Sequence, residues 1–268
     1  GQTKIIVIKD HKTKTIFCHV VNKKGASEKW VIKRIVEDIE SLGYKNIIIQ
    51  IDGENSIKDV RSAVKDARMN DTIVRQSAKG DSQSNGKIER GVQSAEGQIR
   101  VMKLALEKRL QCKIEPEWCV LHWLVEAAGT FLCKYEKGSD GMTPQRRLTG
   151  KDWNQAIVEF GEAILYKPLM SKSEPQNKME AKFVQGTWIG ITTDGKEHLL
   201  GTPEGVVRTR TVKRRPYSER WSAEDVKNIR GIPARPNPEV GDTTVPVRIR
   251  TRDTPLAEEE PEDAEALA

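Results

Sequence analysis

The sequence has 268 residues, enough for one large domain or two smaller ones with a real core. Its 45 Lys and Arg outnumber its 39 Asp and Glu, and the excess lies in residues 1–215, because residues 216–268 hold 7 basic and 12 acidic side chains. A portion this basic favours polyanions, since each Lys or Arg set against a phosphate releases condensed counterions. No run of 18 apolar residues offers a membrane span, and the start, Gly1-Gln2-Thr3-Lys4, lacks the apolar stretch of a secretory signal. A soluble intracellular protein without membrane contact is expected. Cys18, Cys112, Cys119 and Cys133 form no Cys-x-x-Cys pair, and His11, His19, His122 and His198 are scattered, so neither a disulfide framework nor a zinc site of usual spacing is supported.

In chain order, Ile5–Ile8 and Thr15–Val21 are β-rich runs around the polar stretch Asp10–Lys14, the pattern of an antiparallel hairpin. Ser27 is placed to cap a helix whose apolar residues, Trp30, Val31, Ile35, Ile39 and Leu42, recur at helical spacing until Gly43 stops it. Asn46–Ile51 reads as a buried parallel strand ending at Asp52. Ile57, Val60, Val64 and Ala67 mark a second helix, and Thr72–Arg75 a further strand. This series predicts a mixed α/β sheet.

Residues 77–86 are small and polar, with two glycines, and read as a mobile loop. Beyond it the stripe Ile88, Val92, Ala95, Ile99, Met102 and Leu106 predicts a long helix. Residues 117–135 read as a buried helix, with Pro144 closing the first domain, 1–150. Short β-like runs broken by glycines over 156–215 predict a small all-β module, a DNA-binding candidate. Residues 216–268 contain 7 of the 12 prolines and an acidic run at 258–265, a composition that predicts a disordered tail.

Two acids stand out. Asp52 sits where a strand gives way to a loop, and ligands of open α/β sheets are met at the carboxyl ends of strands. Glu89 is about 100° around the helix from buried Ile88, at the edge of the packed face. A loop cap and a solvated first-turn acid are the alternatives. Further along, Arg208, Arg210, Lys213, Arg214 and Arg215 crowd five cations into eight residues. They suit phosphate contacts, or guard a solvated edge strand. Trp118, Trp123 and Trp188 read as core.

The passages Ile51-Asp52-Gly53-Glu54-Asn55 and Ser82-Gln83-Ser84-Asn85-Gly86-Lys87-Ile88-Glu89-Arg90, 36 residues apart between the two acids, resemble the second and third acidic motifs of the retroviral-type integrase core. The later segments Met142-Thr143-Pro144, Phe160-Gly161-Glu162-Ala163, Phe183–Gly190 and Val212-Lys213-Arg214-Arg215 resemble the copia-type retrotransposon branch. The resemblance implies a ribonuclease-H-like fold, with a mixed five-stranded sheet whose first strand is missing here. It implies metal ligation by Asp52 and Glu89, with Mg²⁺ or Mn²⁺ as the ion, and DNA contacts by Lys79, Asn85, Lys87, Arg90 and Gln93 near the site. Two divalent ions could clamp the attacking and leaving oxygens of a phosphodiester displacement, which in that family is 3′-end processing followed by strand transfer into target DNA.

The family's first acid falls on a strand preceding the hairpin. Asp10, the only nearby acid, sits in the hairpin turn, at the opposite end of the sheet from Asp52, and is rejected for that role. The chain therefore reads as a fragment of a longer polyprotein, inactive alone, with nuclear action and homo-oligomers expected of the whole. A ribonuclease-H-like nuclease and a non-catalytic, element-derived DNA-binding protein are the alternatives.

Overall fold

The structure is a computed structural model that describes residues 3–21, 28–51, 55–76, 82–155, 158–170, 181–193, 195–239, 245–246 and 249–250. The chain is a mixed α/β protein. Strands β1 (Lys4–Lys9) and β2 (Ile16–Val21) form the expected antiparallel hairpin, with Lys9 opposite Ile16. Asp10 shapes its turn: one carboxylate oxygen accepts from the Thr13 amide at 2.7 Å and hydroxyl at 2.6 Å. Helix α1 (Lys29–Ser41) follows, with Val31, Ile32, Ile35 and Ile39 buried. It stops where expected, at Gly43 with φ of 75° and an amide donating to the Glu40 carbonyl. Its N-cap position is Glu28, without a side-chain cap; Ser27 lies outside the described residues.

Strand β3 (Ile47–Ile51), helix α2 (Asn55–Ala67) and strand β4 (Thr72–Gln76) make a crossover unit in which β3 and β4 run parallel, with Ile48 beside Ile73. Helices α1 and α2 close one core: Val31, Ile35, Ile39, Val60 and Val64 pack with Val21, Ile6 and Ile8 of the hairpin and Ile47 and Ile49 of β3. Among the described residues the hairpin and the parallel pair share this core without pairing to each other, so the expected mixed sheet is present there as two two-stranded pieces. The parallel pair also packs against the core by one face only, with Ile48 58% and Ile73 63% exposed. Uninterrupted hydrophobicity suggested burial on both faces; α2 covers just one.

Helix α3 (Ser82–Leu110) begins earlier than expected, taking Ser82–Gly86 from the predicted loop into its first turns, where small polar residues are tolerated. Helix α4 (Val120–Tyr135) packs beside it. Ala95, Val125, Leu132 and Cys133 cover the hairpin face opposite α1, against Ile16 and Cys18. The hairpin is thus sandwiched between two helical layers, which is why adjacent Cys18 and His19 are both buried. Pro144 is the first residue of helix α5 (Pro144–Thr149), whose cap is the Thr143 hydroxyl, 3.1 Å from the Arg146 amide.

Strands β5 (Ala163–Tyr166), β6 (Leu169–Met170), β7 (Val184–Ile191), β8 (His198–Thr202), β9 (Gly205–Thr209) and β10 (Val212–Arg214) supply the expected β module. All but β6 join one antiparallel sheet in the order β10-β5-β7-β8-β9. It is no separate unit: Ile164, Trp188, Leu200 and Val206 form one core with Leu106, Val120, Trp123 and Leu124 of α3 and α4. Trp123 and Trp188 are core, as expected, and Trp118 packs at its margin.

The expected tail disorder does not extend over residues 216–239. A 3₁₀ turn (Tyr217–Glu219) and helix α6 (Ala223–Lys227) lead to Val226 and Ile229, 1% and 2% exposed in the same core. Few large apolar residues are needed where an existing core receives them, and a proline count does not register that. Strand β11 (Ile249–Arg250) pairs with β6, and residues 251–268 lie outside the described residues.

Candidate functional site

Asp52 follows directly on Ile51, the last residue of β3, and lies outside the described residues. Lys79 does too, and nothing is described of the Asn85 and Lys87 side chains within α3. Glu89, Arg90 and Gln93 are exposed on α3. Two residues past Glu89, Gly91 packs on the Lys9 side chain at the end of β1, so closely that a Cβ would lie 2.8 Å from Lys9 Cδ. That end of β1 adjoins the hairpin turn, where the Tyr44 hydroxyl, just ahead of β3, donates to Asp10 at 3.1 Å. Burial would raise the Asp10 pKa, but hydrogen bonds from Thr13 and Tyr44 hold it below the usual carboxylate range. Asp10 is a turn acid whose Oδ2 accepts all three of these bonds.

The five clustered cations have neighbours of their own. Arg208 and Arg210 both reach Glu197, at 3.2 and 3.3 Å. Arg214 grips Glu162 with two nitrogens, at 2.8 and 2.7 Å, and Arg220 adds a contact at 3.4 Å. Glu162 is fully buried, so Arg214 compensates an interior charge. Arg215 pairs with Glu219 at 2.7 Å, and Lys213 lies over the Phe183 ring at 4.4 Å. Arg210, with 80% of its side chain exposed, is the member best placed to meet a phosphate, because exposed pairs are weak and easily exchanged.

A polar cluster not foreseen in the sequence joins β2, α1 and α4. His19 is 2% exposed; its Nε2 is 2.5 Å from Asp38 and its Nδ1 2.9 Å from Glu126. Arg34 Nη2 is 3.3 Å from the other Glu126 oxygen, and Trp30 meets the imidazole edge-on at 6.1 Å. Burial opposes the charge on His19, yet hydrogen bonds and Coulomb attraction from the two carboxylates raise its pKa to about 9. Burial would also raise the Glu126 pKa, but Arg34 and then His19 lower it. A cleft of about 620 Å³ opens beside the cluster, reaching Leu199 and Arg208 of the second sheet. In its wall, Lys33, Arg34 and His19 lie beside Glu37, Asp38 and Glu126. One signal was available: Asp38 interrupts the apolar stripe of α1 between Ile35 and Ile39.

Among the described residues no three His, Cys, Asp or Glu side chains come together to hold a metal ion, and both nitrogens of His19 are taken by carboxylates. Asp52, one of the two implied ligands, lies outside the described residues, so no catalytic step through a metal is derived. No described helix is long and apolar enough to cross a membrane.

No protein-family model matches the chain, and no curated protein matches it. Among solved structures it is similar to the catalytic core domain of BIV integrase, with 17% identity and a TM-score of 0.40 over 55% of this chain and 86% of that one. It is also similar to a chain of the simian T-cell lymphotropic virus intasome in complex with PP2A regulatory subunit B56 gamma, with 11% identity and a TM-score of 0.41 over 82% and 72%.

Proposed function

We propose that the chain is an integrase-like unit that binds duplex DNA through exposed cations, and that Asp52 and Glu89 take part in holding a divalent cation, Mg²⁺ or Mn²⁺. The observation that carries the reading is the parallel β3–α2–β4 crossover, whose strand β3 ends at Ile51, directly before Asp52 in the sequence, and open α/β sheets meet their ligands at the carboxyl ends of strands. It occurs in a chain whose excess of cations lies in residues 1–215. Element ends and target duplex are the DNA substrates of this reading. The whole protein, of the copia-type branch, would perform end processing and strand transfer in the nucleus, as a homo-oligomer.

Arg210 and Lys213, with Arg90 on α3, are the described cations assigned to phosphate. Arg208, Arg214 and Arg215 serve DNA only by leaving their carboxylate partners. Affinity for duplex DNA is expected to fall steeply between low and physiological salt, and the double variant Arg210→Ala/Lys213→Ala to shallow that slope by one to two phosphate contacts, about one per cation. Salt-independent binding would overturn the DNA reading. Mn²⁺ binding by calorimetry is expected to weaken in Asp52→Asn and in Glu89→Gln alike; metal affinity unaffected by both would remove the ligand assignment while leaving DNA binding intact.

A further inference from the structure

The outer edge of β9 is occupied by the chain's own proline-rich segment. β9 ends the sheet order, with its inner edge paired to β8. Its outward amides alternate, and both at its centre are used: Val206 N–H donates to the Pro236 carbonyl and Arg208 N–H to the Pro246 carbonyl, each at 3.0 Å.

The approach is built in. The Trp123 indole donates to the Gly231 carbonyl at 2.9 Å, and the Arg230 amide to Thr202 at 3.1 Å. Ile232 and Arg235 then exchange reciprocal backbone bonds of 3.2 and 2.8 Å that reverse the chain toward β9. Gly231, with φ of 86°, has the Pro236 carbonyl where a Cβ would stand, and Gly205, with φ of 139°, has Pro236 and Asn237 there. Pro233, Pro236, Pro238 and Pro246 have no N–H, so the segment accepts from β9 while offering few donors for another strand.

We propose that residues 232–239 and 245–246 form a cis-acting strap that keeps the β9 edge from pairing with the same edge of a second copy. An uncovered, regular edge strand is a template for another chain. Two β9 strands brought together antiparallel about Val207 would pair each Val206 with the other's Arg208, through the same N–H groups that the strap now satisfies. A second copy is the matching partner because the edge is then self-complementary.

Two full-length variants test this by molecular mass in solution at tens of micromolar. In one, residues 232–246 are replaced by a Gly-Ser run of equal length; in the other, Gly231→Ala drives the Pro236 carbonyl off its seat. Both are expected to show twice the mass of the parent chain at that concentration, and adding Arg208→Pro, which deletes one edge donor, is expected to restore the parent mass. Variants that keep both the parent mass and the parent far-UV circular dichroism would overturn the proposal, as would a mass increase that Arg208→Pro does not reverse. If the Gly-Ser variant fails to fold, Gly231→Ala decides alone by the same two criteria.

Discussion

Raising the pH is expected to unlock the buried cluster that ties the hairpin to both helical layers. His19 has a folded-state pKa of about 9 against 6.5 for the unfolded imidazole. Its contribution is fully present below pH 6.5 and lost as the pH climbs through 9, because between those values the native state keeps a proton that the unfolded chain has released. At about 1.4 kcal/mol for each tenfold change in proton affinity, the loss is about 3 kcal/mol, a large share of the 5–15 kcal/mol that roughly bounds the stability of a folded domain. The other perturbed histidines and the buried thiols act mainly outside this window. Burial lowers the pKa of His122 and His198, so both act on the acid side of 6.5. Burial pushes the Cys18 and Cys133 thiols up to about 12 and about 11 from 9.0, so both cost stability mainly above pH 9. Urea unfolding followed by circular dichroism at intervals from pH 6 to 9 is expected to show a steadily falling midpoint. In His19→Asn the starting midpoint is lower and the slope disappears. A wild-type midpoint flat across that range would refute the assignment of a protonated imidazole between Asp38 and Glu126.

Arg214→Ala is expected to lower stability by about 2–3 kcal/mol, less than the roughly 3–5 kcal/mol for breaking a fully buried pair because Arg220 stays beside Glu162. Arg210→Ala should leave the same urea midpoint unchanged; equal midpoints for the two variants would show that Glu162 does not depend on Arg214. Gly161→Ala is expected to cost roughly 1–3 kcal/mol, since φ there is 85° and Leu106 occupies the space of a Cβ, and thermal unfolding measures it. Ile48→Thr and Ile73→Thr, on the bare face of the parallel pair, are expected to change the urea midpoint by no more than about 0.5 kcal/mol. A larger loss would mean that this face is covered in solution.

Local periodicity made much of the first half legible. The hairpin, Gly43 as a helix stop, the separate elements β3, α2 and β4 and the inward stripe of α3 each depend on residues close to one another in the chain. What escaped the sequence depends on encounters between distant segments. Ile48 and Ile73 look as buried as their neighbours until one asks which helix covers them, and α2 has only one face to offer. The arginines around position 210 read as a phosphate cradle until Glu162 and Glu197 are brought beside them by strand pairing.

Charge consumed by folding also bears on the two acids of the proposed metal site. A cation or carboxylate in a sequence advertises charge, whereas function requires charge left over after folding. Glu162 and Asp38 lie buried beside cations, and Asp10 is taken up by its own turn, so three conspicuous acids are consumed in holding the fold. Glu89 differs: it stays exposed on α3, where no core contact accounts for it. A carboxylate kept at the surface of a long helix, in a chain with excess cations, is available for a metal ion or for solvent. The paired measurements on Asp52→Asn and Glu89→Gln separate those two, because a purely solvated acid can be neutralised without changing metal affinity, and a ligand cannot.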